Sequence, residues 1–224
     1  LDYNRKITEA YNSASMKITS KGTKTTSYSY GGATTESSSS VLTLSRGNWM
    51  TSSNEDGIRM DMIYVDGTLY LKTQADGIVI KNKCSMLSES EIRSLLGLDF
   101  TNTILMAYKK VTFESAANGD VSFTCSGLDK DKDSVIHDMI KALESMGTVK
   151  YDDKGITGSM TIDKDHRIKT QTYSIAVSSE IPYIGSVKVS STTTDTYEYG
   201  SYEVKAPADA DSYTQKNSFA ELFR

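Results

Sequence analysis

The sequence predicts an α+β fold that is mostly β: an antiparallel sheet of about ten strands with two or three helices. Three observations carry this expectation. Asp-Gly recurs every ten residues, as Asp56-Gly57, Asp66-Gly67 and Asp76-Gly77, and both residue types tolerate the positive φ that a type I′ hairpin turn requires. Between the turns the side chains alternate. Ile58, Met60, Met62 and Tyr64 share one face, with Arg59 and Asp61 on the other, and Leu69 and Leu71 alternate with Thr68, Tyr70 and Lys72. A period of two marks strands with one apolar and one wet face. Finally, Ser and Thr make up a quarter of the 224 residues and Tyr (14) outnumbers Phe (5), which suits half-buried pleated surface.

Taken in order, Leu1 to Ala14 reads as an amphipathic helix, with Tyr3, Ile7, Ala10, Tyr11 and Ala14 at three- and four-residue spacing. The period changes to two at Met16 and Ile18, giving a strand that ends at Lys21-Gly22. The Ser/Thr-rich stretch from Thr23 to Arg46 reads as two strands around a flexible Thr34–Ser40 segment. The Asp-Gly meander follows Trp49, the only tryptophan. Ser88 and Glu91 form a capping box for a helix to Leu98, with Leu87 and Ile92 placed as a hydrophobic staple and Gly97 as its stop. Asp99 to Tyr108 reads equally as helix or strand. Lys110–Ser115 and Asp120–Cys125 make a hairpin across Asn118-Gly119. Ser134 to Met146 is a second helix, with acids at its start and Gly147 at its end. Strands follow at Val149–Asp152, Ile156–Ile162, Ile168–Val177 and Tyr183–Tyr199, before a tail that begins at Ala206-Pro207.

The length fits one domain, residues 1–224, with 206–224 as its tail. Net charge is −4 with both signs scattered, and no basic stripe interleaved with aromatics suggests nucleic acid. No apolar run reaches the length of a membrane span. The chain opens at Leu1 without Met, as expected of a mature fragment whose targeting segment has been removed. Cys84 and Cys125 follow neither a CxxC nor a zinc spacing. Bridged, they would close a loop of about forty residues and stabilise by roughly 3–4 kcal/mol. Two separate buried thiols are the other reading, and the compartment decides between them.

Motifs for catalysis are missing. Asp129, Asp131 and Asp133 resemble the start of a calcium loop, but Ser134 and Ile140 stand where an EF-hand needs Gly and Glu. His137 and His166 are the only histidines, and neither stands in a zinc-ligand or catalytic-triad motif. No nucleophile elbow, dinucleotide fingerprint or P-loop occurs. The expectation is therefore a non-enzyme, with no cofactor and no metal.

The nine methionines carry more. A place in the core is the ordinary reading for any one of them. Together, Met60, Met62, Tyr64, Leu69 and Leu71 on the sheet, Leu95, Met139, Leu143 and Met146 on the two helices and Met106 in the ambiguous stretch between them form an adaptable apolar lining. Linings of this kind serve ligands of variable shape.

The order of elements, the Tyr64-Val65-Asp66-Gly67-Thr68-Leu69-Tyr70 segment and the closing Pro207-Ala208-Asp209-Ala210-Asp211-Ser212-Tyr213 resemble the LolA/LolB/LppX-like lipoprotein superfamily, most of all uncharacterised secreted lipoproteins of Gram-positive bacteria. The resemblance implies a strongly curved half-barrel closed by helices, with a lipid or other hydrophobic ligand in its concave groove. It also implies an extracytoplasmic, cell-surface lipoprotein held at the membrane by an N-terminal lipid anchor absent from this chain, and it brings no catalytic residues. The rival expectation is a cell-envelope interaction module with a filled core, binding a protein or glycan through outer-face tyrosines such as Tyr70, Tyr197 and Tyr199. Either way a monomer is expected.

Overall fold

The computed structural model describes residues 2–45, 47–55, 57–85, 87–90, 92, 108–129, 148–151, 155–181 and 185–223. It is mostly β, with thirteen strands where the sequence suggested about ten. Helix α1 spans Asp2–Ser13. The strands are β1 Met16–Tyr28, β2 Ala33–Ser45, β3 Asn48–Glu55, β4 Ile58–Val65, β5 Thr68–Ala75, β6 Ile78–Cys84, β7 Tyr108–Ser115, β8 Val121–Leu128, β9 Thr148–Tyr151, β10 Thr157–Ile162, β11 Ile168–Ile181, β12 Gly185–Tyr199 and β13 Thr214–Lys216. Hydrogen-bonded neighbours run β13-β6-β5-β4-β3-β2-β1-β12-β11-β10-β8-β7, with β9 on β11.

Two compact units divide the chain, each built from three separate segments. The first comprises Leu1–Tyr11, Lys21–Ser37 and Thr101–Thr196; the second comprises Asn12–Ser20, Ser38–Phe100 and Tyr197–Arg224.

In the second unit the Asp-Gly turns behave as their chemistry requires. Val65 pairs with Thr68 and Ala75 with Ile78, leaving two-residue loops. Asp66 and Asp76 both sit at φ 49° and Gly67 and Gly77 at 81° and 79°, the left-handed pair of a type I′ turn. Register follows from these turns, so Leu44, Trp49, Tyr64, Leu69 and Cys84 line up across five strands on one face. All five are buried. Trp49 and Tyr64 stack with ring centroids 5.9 Å apart, and the Tyr64 hydroxyl donates to the Leu87 carbonyl at 2.9 Å.

Two corrections concern the Ser/Thr-rich stretch. β1 runs through Gly22 to Tyr28, and β2 is one strand from Ala33 to Ser45 with no break at Thr34–Ser40. Low-complexity composition hid continuous strands, because Thr and Ser satisfy a pleated, half-exposed surface without apolar alternation. β13 was also missed, since three residues carry no readable period.

The tail is a clasp on the second unit. Lys81 reaches Asp209 at 2.6 Å and lies 5.9 Å from the Tyr213 ring, while Lys83 donates to the Ala210 carbonyl at 3.0 Å. Tyr213 meets Tyr70 edge to face at 5.4 Å. β13 then pairs in parallel with β6. The 3-10 turn Phe219–Phe223 returns on the opposite face, where Asn82 Nδ2 donates to the Leu222 carbonyl at 2.7 Å.

The Lys81 hydrogen bond is the main reason the Asp209 carboxyl lies below its ordinary pKa. A folded pKa below the unfolded one adds stability above the unfolded value, and that stability is lost as pH falls through the folded value. Asp209→Asn should therefore melt below the wild type at pH 7, and the gap should narrow as pH falls below the ordinary carboxylate range.

In the first unit, α1 buries Ile7 and Tyr11. β10 and β11 bury Met160, Ile162, Ile168, Gln171 and Val177 on one face. The opposite face is a lattice of hydroxyls: Thr112, Thr124, Ser159, Thr172 and Thr194 form one row across β7, β8, β10, β11 and β12. Thr112 and Thr124 hydroxyls lie 2.6 Å apart, and those of Thr172 and Thr194 3.0 Å apart.

Of the two mid-chain helices expected from the sequence, only the start of the first falls on described residues. There the Ile92 N–H donates to the Ser88 carbonyl at 3.1 Å. Glu91 of the capping box and the whole of 134–146 lie outside the described residues.

Candidate functional site

β4 and β5 bring five of the expected lining residues onto one face of the second unit. Tyr64 pairs with Leu69, Met62 with Leu71 and Met60 with Thr73. The rows extend across β6 to Cys84, Asn82 and Ile80. Burial is graded along this face. Tyr64, Leu69 and Leu71 are buried, with Leu87 held against Tyr64 and Leu222 against Asn82 at that end. All three belong to the core. Met60 and Met62 are half-buried. Beyond them Ile80 is 49% exposed, Ile58 47% and Ile78 66%.

The open end of the apolar face thus lies towards the β3–β4 and β5–β6 turns, and two of its residues, Ile78 and Ile80, were not singled out from the sequence. Their signal was readable: Ile78-Val79-Ile80 is an apolar run directly after Asp76-Gly77. On the opposite face of β5 and β6, where the tail packs, a cleft of about 610 Å³ is lined by Lys72, Val79, Lys81, Ser212 and Thr214, with Ile80 and Asn82 at the strand edge. Leu95, Met106, Met139, Leu143 and Met146 lie outside the described residues.

Of the outer-face tyrosines, Tyr70 packs against Tyr213, and Tyr197 and Tyr199 are half-buried.

Cys84 and Cys125 are both buried and both free, so the disulfide left open by the sequence is absent. Each thiol is packed in its own strand row, Cys84 opposite Leu69 and Cys125 between Val111 and Gly158. Burial pushes the Cys84 thiol up, with a smaller push from Glu221. It raises Cys125 to about 11. Thiolate is the reactive form, so both should resist alkylation at pH 8 in the folded protein. Two thiols per chain should react once guanidine is added without reductant.

Beside Cys125, Tyr108 is buried and its pKa stands at about 12, chiefly through burial. Its hydroxyl has no hydrogen-bond partner among the described residues. A Cβ on Gly158 would meet that oxygen at 2.7 Å. Gly158→Ala should cost about 1–3 kcal/mol in a melting experiment, and Tyr108→Phe, which removes the oxygen, should restore most of it.

Among the described residues no group of three or more His, Cys, Asp or Glu could hold a metal. No helix among them is long and apolar enough to cross a membrane.

No protein-family model matches the chain, and no curated protein matches it in sequence. Solved structures similar to it include a DUF1329 family protein from Desulfovibrio piger, 13% identical, covering 99% of this chain and 96% of that one, with a TM-score of 0.26. A LolA superfamily protein, NE2245 from Nitrosomonas europaea, is 7% identical over 91% of this chain and 94% of that one, with a TM-score of 0.27. The ywiB protein from Bacillus subtilis is 10% identical over 83% and 93%, with a TM-score of 0.20. The superfamily named from the sequence is among these neighbours. Superpositions this loose carry no argument about site or ligand.

Proposed function

We propose that the chain is a non-enzymatic, extracytoplasmic domain that takes up a lipid or other hydrophobic molecule on the apolar face of β4–β6. The observation that supports this is the graded burial of that face: a sealed end at Trp49, Tyr64 and Leu69, a methionine zone at Met60 and Met62, and an uncovered end at Ile58, Ile78 and Ile80. Exposed apolar patches continuous with a core are costly to keep in water and mark interaction sites. Methionine next to such a patch adapts to ligands of differing shape. The ligand's apolar part would lie along the Met60–Ile80 row.

The test is titration with an environment-sensitive fatty-acid probe. Wild type should bind it. The double variant Ile78→Asp/Ile80→Asp should bind at least about tenfold more weakly, since two exposed apolar contacts worth roughly 1 kcal/mol each are replaced by charge. Both positions are exposed, so an unchanged melting curve is the folding control. Equal binding by the folded double variant would overturn the assignment.

A further inference from the structure

The sheet's two ends are treated differently. At one end the chain's own tail adds β13 to β6. At the other, β7 is terminal, and among the described residues no strand pairs with its outer edge. Residues 109–119 are all exposed, with Phe113 at 71% and Val111 at 42%. An open edge offers a row of unpaired backbone groups that readily accept another strand.

We infer that β7 pairs antiparallel with β7 of a second copy of this chain, about a two-fold axis at Thr112. The argument is self-complementarity. In that register Thr112 faces its own copy, Val111 faces Phe113 and Lys110 faces Glu114. Directly opposed residues of an antiparallel pair share a face. Lys110 and Glu114 would then meet on the hydroxyl face, and Val111 and Phe113 on the other.

The charges make this register specific. Within the chain, Lys110 lies beside Ser126 and Glu114 beside Ser122, and neither has an ion-pair partner among the described residues. They end rows that are otherwise hydroxyl: Ser126, Thr157, Ser174 and Thr192 in one, Ser122, Thr161, Thr170 and Thr196 in the other. Centring the axis at Lys110 or at Glu114 would set like charges face to face, which disfavours those registers. Lysines at an edge ordinarily repel a second strand; here the glutamate four residues on converts that repulsion into selection of one register. The topology alone exposes this, because nothing in the sequence marks β7 as terminal, and the sequence expectation was a monomer.

An edge-to-edge contact of one strand is small, so association falls at the weak end, with Kd in roughly the micromolar to millimolar range. Sedimentation velocity over a concentration series should show a reversible monomer–dimer equilibrium. Glu114→Lys and Lys110→Glu alone should each weaken it at least about tenfold, and the double exchange should restore it. Thr112→Cys should give a disulfide-linked dimer on mild oxidation, while Ser115→Cys, which faces Lys109, should not. All four positions are exposed, and circular dichroism checks that each variant is folded. A chain monomeric throughout, or a dimer indifferent to the charge exchanges, would overturn the proposal. So would an edge that binds extended peptides of other sequence and not its own copy.

Discussion

Trp49→Ala should lower stability by about 3–5 kcal/mol, a drop of roughly 10 °C or more in the melting of the second unit. Trp49 is fully buried, sits between Leu44 and Tyr64 in the register, and stacks on Tyr64. Removing the indole leaves a cavity that a hydrogen-bonded sheet cannot collapse to fill, so the cavity cost adds to the lost transfer energy. Its Nε1 has no partner among the described residues, and no hydrogen bond is lost to complicate the reading. Trp49→Phe, which keeps most of the ring, should cost far less. Equal loss for both variants would mean the stack contributes little.

Leu222→Asp should be nearly as damaging, at about 3 kcal/mol or more, because it puts an unpaired carboxylate into a buried apolar position. Leu222 is 1% exposed, and its carbonyl accepts from buried Asn82. Phe223, one residue on, is half exposed, so Phe223→Ser should change stability by less than about 1 kcal/mol. The contrast separates a tail that seals the sheet face from one that merely trails across it. If both variants melt alike, the clasp is not part of the fold.

Much of the second unit was legible because its turns are written in two residues. An Asp-Gly pair with alternating flanks fixes turn type, and turn type fixes register, so Tyr64, Leu69 and Met62, Leu71 could be placed on one face from sequence alone. What stayed hidden follows from long-range geometry. That Tyr64 and Leu69 are core while Ile78 and Ile80 lie open depends on Leu87 and Leu222, which arrive from elsewhere in the chain. Nothing in the spacing of Ile78-Val79-Ile80 says whether a tail covers it. The β1 and β2 strands were missed in part for the opposite reason: hydroxyl side chains pair well across strands, yet leave no apolar alternation to read.

The most direct test of the ligand-binding account is organic extraction of the purified protein, set beside native mass spectra of the intact chain. The account predicts a co-purifying hydrophobic molecule at a stoichiometry near one, or ready uptake of one equivalent of a fatty-acid probe if the site is emptied during purification. A chain that carries nothing, and leaves the probe's fluorescence unchanged while remaining folded, would contradict it.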